Sequence, residues 1–272
     1  MSEADTAFGS FVAKLAQAQP AFPIVVTFVA RERRDALTAI ECLAHELAQT
    51  AFHLPEPQVA IVKLNWWRDE IERASRGQAR HPVTQVLGAA AHAFDARAVD
   101  ALVAATLALR EAGPPADHTT QLAQAERVFA PIARLERDAL GQAEAASAAT
   151  ARARTLHHLL RETARTAFDD EAVRAGLPLN LLARHQLSRD DLARPGAARD
   201  AALKDQLADL VRDLDALDAR AANLAVRVRV RLDRRLAAAA HRAADPLPVL
   251  WRGLGRAPAT TFWHAWREAT RG

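Results

Sequence analysis

The sequence predicts an all-α protein built as one helical bundle. Three observations carry this: a composition rich in alanine, apolar residues recurring at three- and four-residue steps, and breaks confined to proline and glycine clusters. Half of the 272 residues are hydrophobic and much of that half is Ala, against 10 Gly, 13 Pro and 5% aromatic residues. Alanine is the best helix former and glycine and proline the worst, so the composition favours helices. No internal repeat or composition shift marks a boundary, so residues 1–272 are taken as one domain.

The first long helix is predicted from Arg31, with Leu37, Ile40, Leu43, Leu47 and Phe52 on one face. It stops at HLPEP (53–57), where two prolines disfavour helical residues before them. A second runs over 56–75 with Val59, Leu64, Trp67 and Ile71 on one side, and Gly77 ends it. His81-Pro82 opens a third, carrying Val83, Val86, Leu87 and Phe94, and a fourth covers 98–111 before GPP (113–115). The segment 119–149 holds Leu122, Val128, Phe129, Ile132, Leu135 and Leu140 at helical spacing, with Pro131 as an expected kink. A further helix starts near Thr150, and LPLNLLARHQLSRDDL forms a turn or short helix with a capping-box pattern from Ser188 to Asp191.

The last long helix is predicted over 197–244, broken or bent somewhere, ending at DPLP. Within it AVRVRVRL (225–232) alternates with period two, the pattern of a strand. A lone strand would leave its backbone groups unpaired, so the helix assignment is kept. Residues 245–272 form a tail with Trp251, Trp263 and Trp266 among Arg252, Arg256, Arg267 and Arg271. That pattern suits a membrane surface, a partner protein or packing on the body.

Charge and cysteine content exclude several classes. With 36 basic and 33 acidic residues, the net charge of +3 supplies no strong field, and no nucleic-acid partner is expected. Cys42 is the only cysteine, which excludes an intramolecular disulfide and a Cys-based zinc site. MSEADTAFGS lacks the pattern of a secretory signal, and FPIVVTFVA (22–30) is too short to span a bilayer, which needs roughly 20 residues. The expected location is cytoplasmic, with peripheral membrane association as the alternative.

GxGxxG, Walker A, HExxH and GxSxG patterns are absent, so chemistry must rest on acids and histidines on helices. Glu41 and His45 share a face, as a metal pair would, though such pairs are common on solvated helices. Asp209 and Asp213 form a DxxxD pair able to hold Mg²⁺, but Arg212 and Arg220 point to a solvated ion-paired face. Trp66 and Trp67 point about 100° apart, one toward the core and one toward a groove. His157-His158 has no acid at relay spacing.

Three stretches, in this order, are more specific than any single motif: RERRDALTAIECLAHEL (31–47), EPQVAIVKLNWWRDEIERASRGQARHPV (56–83) and LHHLLRETARTAFDDEAVRAGLPLNLLARHQLSRDDL (156–192). Together they resemble the squalene/phytoene synthase family over residues 30–235. The resemblance implies a helical bundle of the isoprenoid synthase type around a large cavity. It also implies, in active members, head-to-head condensation of two prenyl diphosphates, with Mg²⁺ held by two DxxxD motifs on facing helices.

In this sequence those motifs fall at Glu46/Thr50 and Glu162/Thr166, each keeping one acid and losing the other. EPQVAIVKLNWWRDEI and LPLNLLARHQLSRDDL are similar to the family's non-catalytic branch, related to a mitochondrial complex I assembly factor. The resemblance thus implies a pseudoenzyme that binds an isoprenoid, a lipid or a protein partner, with no cofactor expected. The alternative is an active Mg²⁺-dependent synthase. Arg161, Arg165, Arg174, Trp67 and Arg68 are the candidate ligand contacts, and Glu46 and Glu162 the only metal candidates. The small side chains Ala44, Ala48, Ala51, Ala164 and Ala167 predict an apolar cavity of roughly 300–1,000 Å³ between the helices carrying Glu46 and Glu162.

Overall fold

A computed structural model describes residues 3–90, 95–168 and 176–270. Among these every regular element is helical: α1 (Glu3–Ala18), α2 (Phe22–Val26), α3 (Arg31–His53), α4 (Pro57–Ser75), α5 (Pro82–Ala90), α6 (Arg97–Ala112) and α7 (His118–Ala139), followed by α8 (Glu144–Arg165), α9 (Leu179–Arg184), a 3₁₀ turn (Asp190–Ala193), α10 (Ala197–Ala216), α11 (Leu224–Arg242), α12 (Leu247–Leu254) and α13 (Thr261–Ala269). Phe94, predicted on the third helix, lies outside the described residues.

Two apolar clusters form the core. One gathers Leu37, Ile40, Leu43, Leu47, Leu64, Trp67, Ile71, Leu102 and Ile132 around α3; the other gathers Leu156, Leu160, Leu203, Leu207, Leu210 and Leu250 around α8 and α10. Helix α11 serves both, through Ala225 and Val228 on one side and Val226 and Val230 on the other. AVRVRVRL therefore lies in a helix, its valines divided between two cores and its arginines bonded to acids on α3 and α13.

One boundary differs from the sequence reading, and one expected break is located. The predicted helix over 119–149 ends at Ala139, and a new one starts at Glu144. Gly141, with φ of 60°, supplies the left-handed turn, while Gln142 N–H donates to the Arg137 carbonyl at 2.9 Å and closes the helix end. Pro131 sits within α7 without ending it. The break expected in the helix over 197–244 falls between Ala216 and Leu224, and Asn223 caps the second helix by accepting from Val226 N–H at 3.0 Å.

The WWRDEI and HPV segments are tied by one carboxylate. Glu70 accepts from the backbone N–H groups of Arg80 and His81 at 2.7 and 2.8 Å, from the Thr84 hydroxyl at 2.6 Å and from Arg73 at 2.7 Å. It thereby fixes the start of α5 against α4. Burial opposes its ionisation, but these donors prevail and hold its pKa down at about 2.

The C-terminal tail packs on the body. α12 lies against α8 and α11, and α13 against α2 and α11. Trp251 Nε1 donates to the Ala164 carbonyl at 2.7 Å, and a Cβ on Gly253 would overlap Leu236 of α11. Four large aromatics of this region nevertheless stay partly outside: Trp251, Phe262, Trp263 and Trp266.

Candidate functional site

At the centre of the bundle the facing helices α3 and α8 are joined by charge. Arg154 of α8 donates to Glu41 of α3 at 2.9 Å and to Glu136 of α7 at 2.6 Å. Arg229 of α11 reaches Glu41 at 3.3 Å, and Asn223 donates to Glu136. All three members of the Glu41–Arg154–Glu136 triad are buried. Burial opposes charge on each, yet Arg154 and Arg229 pull the Glu41 pKa below the carboxylate range. For Glu136, burial and the neighbouring Glu41 outweigh Arg154, and its pKa is raised.

Beside this triad lies a cavity of about 60 Å³ between α3 and α8. Its polar lining is His45, Gln49 and His53 from α3, Arg154, His157, His158 and Arg161 from α8, Arg229 from α11, and Gln19. No carboxylate among the described residues lines it. Burial, with Lys14, Arg161 and Arg154 nearby, pushes His45 down to about 4, and burial with Arg165 and Arg161 does the same to His53. Both are neutral near pH 7.

The motif positions predicted from sequence do not line this cavity. Glu46 is paired with Lys14 and, at 3.5 Å, with Lys63 of α4. The Thr50 hydroxyl is buried and donates to the Glu46 carbonyl at 2.8 Å. One helical step separates them from His45 and Gln49, the residues that do line it. On α8, Glu162 accepts from Arg165 at 3.3 Å, and Thr166 spends its hydroxyl on the Thr163 carbonyl at 2.8 Å. The family's Mg²⁺ clusters need several hard oxygens converging on one space. Histidines, arginines and two glutamines stand there instead, so this donor set does not fit Mg²⁺.

A larger space adjoins it, reached past His157 and Arg161 of α8. A pocket of about 370 Å³ is lined by Ala21, Phe22, Val25, Ala225, Val228, Leu232, Leu236 and Leu254, with Arg161, Arg229, Arg235 and Arg256 among its polar groups. The larger apolar space is thus not the gap between the Glu46 and Glu162 helices but the neighbouring one, walled by α2, α11 and α12. Phe52, Phe129, His158 and Arg154 fill the α3–α8 gap, while Ala164 packs in the α8 core and Ala51 in the α3 core. The two spaces share Ala18, Gln19, His157, Arg161 and Arg229. Arg161 donates to the Ala18 carbonyl at 2.8 Å and Arg229 to the Gln19 side chain, so both arginines brace the wall between them.

Arg161 forms no salt bridge with a described residue, and burial lowers its pKa. Glu162 and Asp233 act on it only at longer range, and Asp233 lines the same pocket. A half-buried cation with no salt bridge among the described residues, at the edge of an apolar pocket, can receive an anion. His157 faces the same region and bonds Asp233 of α11 through Nδ1 at 2.9 Å. The relay acid missing from the neighbourhood of His157 in sequence is therefore 76 residues away. Arg154 and Arg229 were also missed, since their positions are unremarkable until the helices pack.

The other predicted contacts lie elsewhere. Arg165 sits at the His53–Glu162 end of the α3–α8 gap, 2.8 Å from His53 Nδ1. Trp67 is packed in the core, Trp66 is exposed, and Arg68 is an exposed partner of Asp69 and Asp100. Arg174 lies outside the described residues. Asp209 pairs with Arg212, while Asp213 bonds His118 at 2.9 Å and joins α10 to α7. No helix of the described residues is long and apolar enough to cross a membrane.

Comparison with known proteins agrees with this architecture. Residues 15–265 match the family described as Squalene/phytoene synthase. Among solved structures, the chain is similar to a dehydrosqualene synthase in complex with ligand, with a TM-score of 0.64, 9% identity, and coverage of 92% of this chain and 96% of that one. It is also similar to the squalene synthase HpnC from Alicyclobacillus acidocaldarius, with a TM-score of 0.57, 14% identity, and coverage of 93% and 96%. Among curated proteins no match was found. The chain, an all-helical bundle of the isoprenoid synthase type, belongs to the squalene/phytoene synthase family.

Proposed function

We propose that this protein is a non-catalytic member of its family that holds an anionic isoprenoid or similar lipid in the pocket between α2, α8, α11 and α12. The observation that carries the reading is the pairing of an apolar pocket of about 370 Å³ with Arg161, a cation that forms no salt bridge among the described residues. Such a pocket lies within the usual size range of ligand sites. The apolar wall takes the chain of the ligand, and Arg161, with Arg229 and Arg235, takes its phosphate or carboxylate head.

The carboxylate-free lining between α3 and α8 supports the absence of synthase turnover. Catalysis by a Mg²⁺ cluster is electrostatic, and loss of its ligands costs several kcal/mol of barrier, or orders of magnitude in rate. Arg154 and Arg229 balance the buried acids Glu41 and Glu136 without any metal.

Placement at a membrane surface is favoured by α13. Phe262, Trp263 and Trp266 are exposed on it, and the linker before it, with Arg256, Pro258 and Thr260, lines the pocket. Aromatic side chains flanked by arginines suit an anionic bilayer surface, from which a lipid could pass into the pocket.

Calorimetric titration with farnesyl phosphate in EDTA tests the reading. One equivalent should bind, and Val228→Trp, which fills the pocket, should abolish binding while the helical circular dichroism spectrum is kept. Absence of binding to the wild-type protein, or binding unchanged by Val228→Trp, would refute it.

A further inference from the structure

Three side chains at one end of the α3–α8 gap form a donor set that the lipid pocket does not use. His53 ends α3, and His158 and Glu162 stand one turn apart on α8, where residues four apart share a face. One ligand atom from each lies within 4.8 Å of the others. His53 Nε2 is 3.8 Å from Glu162 Oε1. Phe52 stacks on the His158 ring with centroids 3.9 Å apart, which fixes the ring plane.

A positive group already occupies this gap. Arg165 Nη1 lies 2.8 Å from His53 Nδ1, 3.3 Å from His53 Nε2 and 3.3 Å from Glu162 Oε1. The guanidinium occupies the space a metal ion would take.

We propose that His53, His158 and Glu162 form a binding site for a borderline transition metal such as Zn²⁺. Two imidazole nitrogens and one carboxylate oxygen match Zn²⁺ or Co²⁺, whereas Mg²⁺ selects oxygen-only octahedral sites. The site therefore differs in both donors and metal class from the diphosphate-binding clusters of the family's synthases. Zn–N bonds of about 2.0–2.1 Å put tetrahedral ligand atoms about 3.3 Å apart, so the three atoms must close in by roughly an ångström. Arg165 must swing aside, and its guanidinium already lies over the Phe168 ring, 5.9 Å from the centroid, which a small displacement from the gap can keep. Both histidines line the 60 Å³ cavity, so the fourth coordination position opens into it. A bound ion would cross-link the end of α3 to α8.

The test uses the full-length, lipid-free protein and the metals alone, so its outcome is independent of the lipid reading. Co²⁺ is titrated by visible absorption, then displaced by Zn²⁺. The site predicts saturation at one equivalent, no displacement by millimolar Mg²⁺, and affinity lowered at least about tenfold in His158→Ala and Glu162→Gln. Arg165→Met keeps all three ligands and removes the competing cation, so it should bind more tightly than wild type. It decides the matter even if a histidine variant fails to fold. Absence of saturable binding in both wild type and Arg165→Met overturns the proposal. Affinity unchanged in folded His53→Ala and His158→Ala does the same.

Discussion

Arg154 donates from Nη2 to Glu41 Oε1 at 2.9 Å, joining residues 113 positions apart and tying α8 to α3 at the centre of the bundle. In a squalene or phytoene synthase, metal ions would bridge the acids of these facing helices. Here an arginine of α8 is itself the bridge, pairing with Glu41 of α3 and Glu136 of α7, and the space beside it is lined by neutral histidines and cations.

Removing that arginine should be costly. Arg154→Met leaves Glu41 and Glu136 buried without their shared partner, and breaking a buried ion pair in this way costs about 3–5 kcal/mol. Urea unfolding should show the loss, and adding Glu41→Gln and Glu136→Gln should recover most of it. A single-variant loss below about 1 kcal/mol would contradict a structural role for the triad.

Glu70→Ala should destabilise by about 3 kcal/mol, because it strands the N–H groups of Arg80 and His81 at the start of α5. Denaturant midpoints measure this directly. Glu70→Gln should lose less, since its carbonyl still accepts some of these bonds.

The Glu70 contacts also show what was legible in the sequence. The stretch from WWRDEI to HPV carries the family likeness, and its acid and turn are in direct contact. The all-helical class followed from composition and apolar spacing, and the helical fate of AVRVRVRL from the lack of a partner strand, whereas α1 and α2 were not foreseen. The break at Gly141 escaped notice because alanine-rich segments run on either side of it, and one glycine is a weak stop. The candidate site was harder to read. Spacing alone does not say whether Glu46 or His45 faces inward, because a helix rotates each successive residue by about 100°. Packing of Glu46 against Lys14 and Lys63 decides it. Arg229 and Asp233 enter from α11, far along the chain.

Restoring the predicted motif letters should therefore not restore chemistry. Thr50→Asp puts a carboxylate into a buried position already next to Glu46. The expected result is a lower melting temperature and no gain in Mg²⁺-dependent product from prenyl diphosphates. A rise in turnover would mean that the inward register assigned to α3 is wrong.

Stability should fall as the medium is acidified from about pH 6.5 toward 4. His45 and His53 have folded pKa values of about 4 against 6.5 in the free side chain, burial being the first cause. In that window the unfolded chain binds more protons than the folded one, so acid favours unfolding, and above pH 6.5 these groups have no effect. Thermal melts across pH 4–7 should show the slope, and His45→Gln should flatten part of it. A flat profile would mean that His45 is not held neutral.

The central claim is that the interior holds an anionic lipid without Mg²⁺ and does not turn it over. Calorimetry with farnesyl diphosphate, in EDTA and again with millimolar Mg²⁺, combined with a pyrophosphate-release assay, tests it most directly. The predicted result is one binding event of similar affinity in both buffers, weakened at least about tenfold (1.4 kcal/mol) by Arg161→Ala, with no pyrophosphate released. Binding that requires Mg²⁺ and is followed by pyrophosphate release at a rate typical of enzymes, about 1 per second or more, would contradict it.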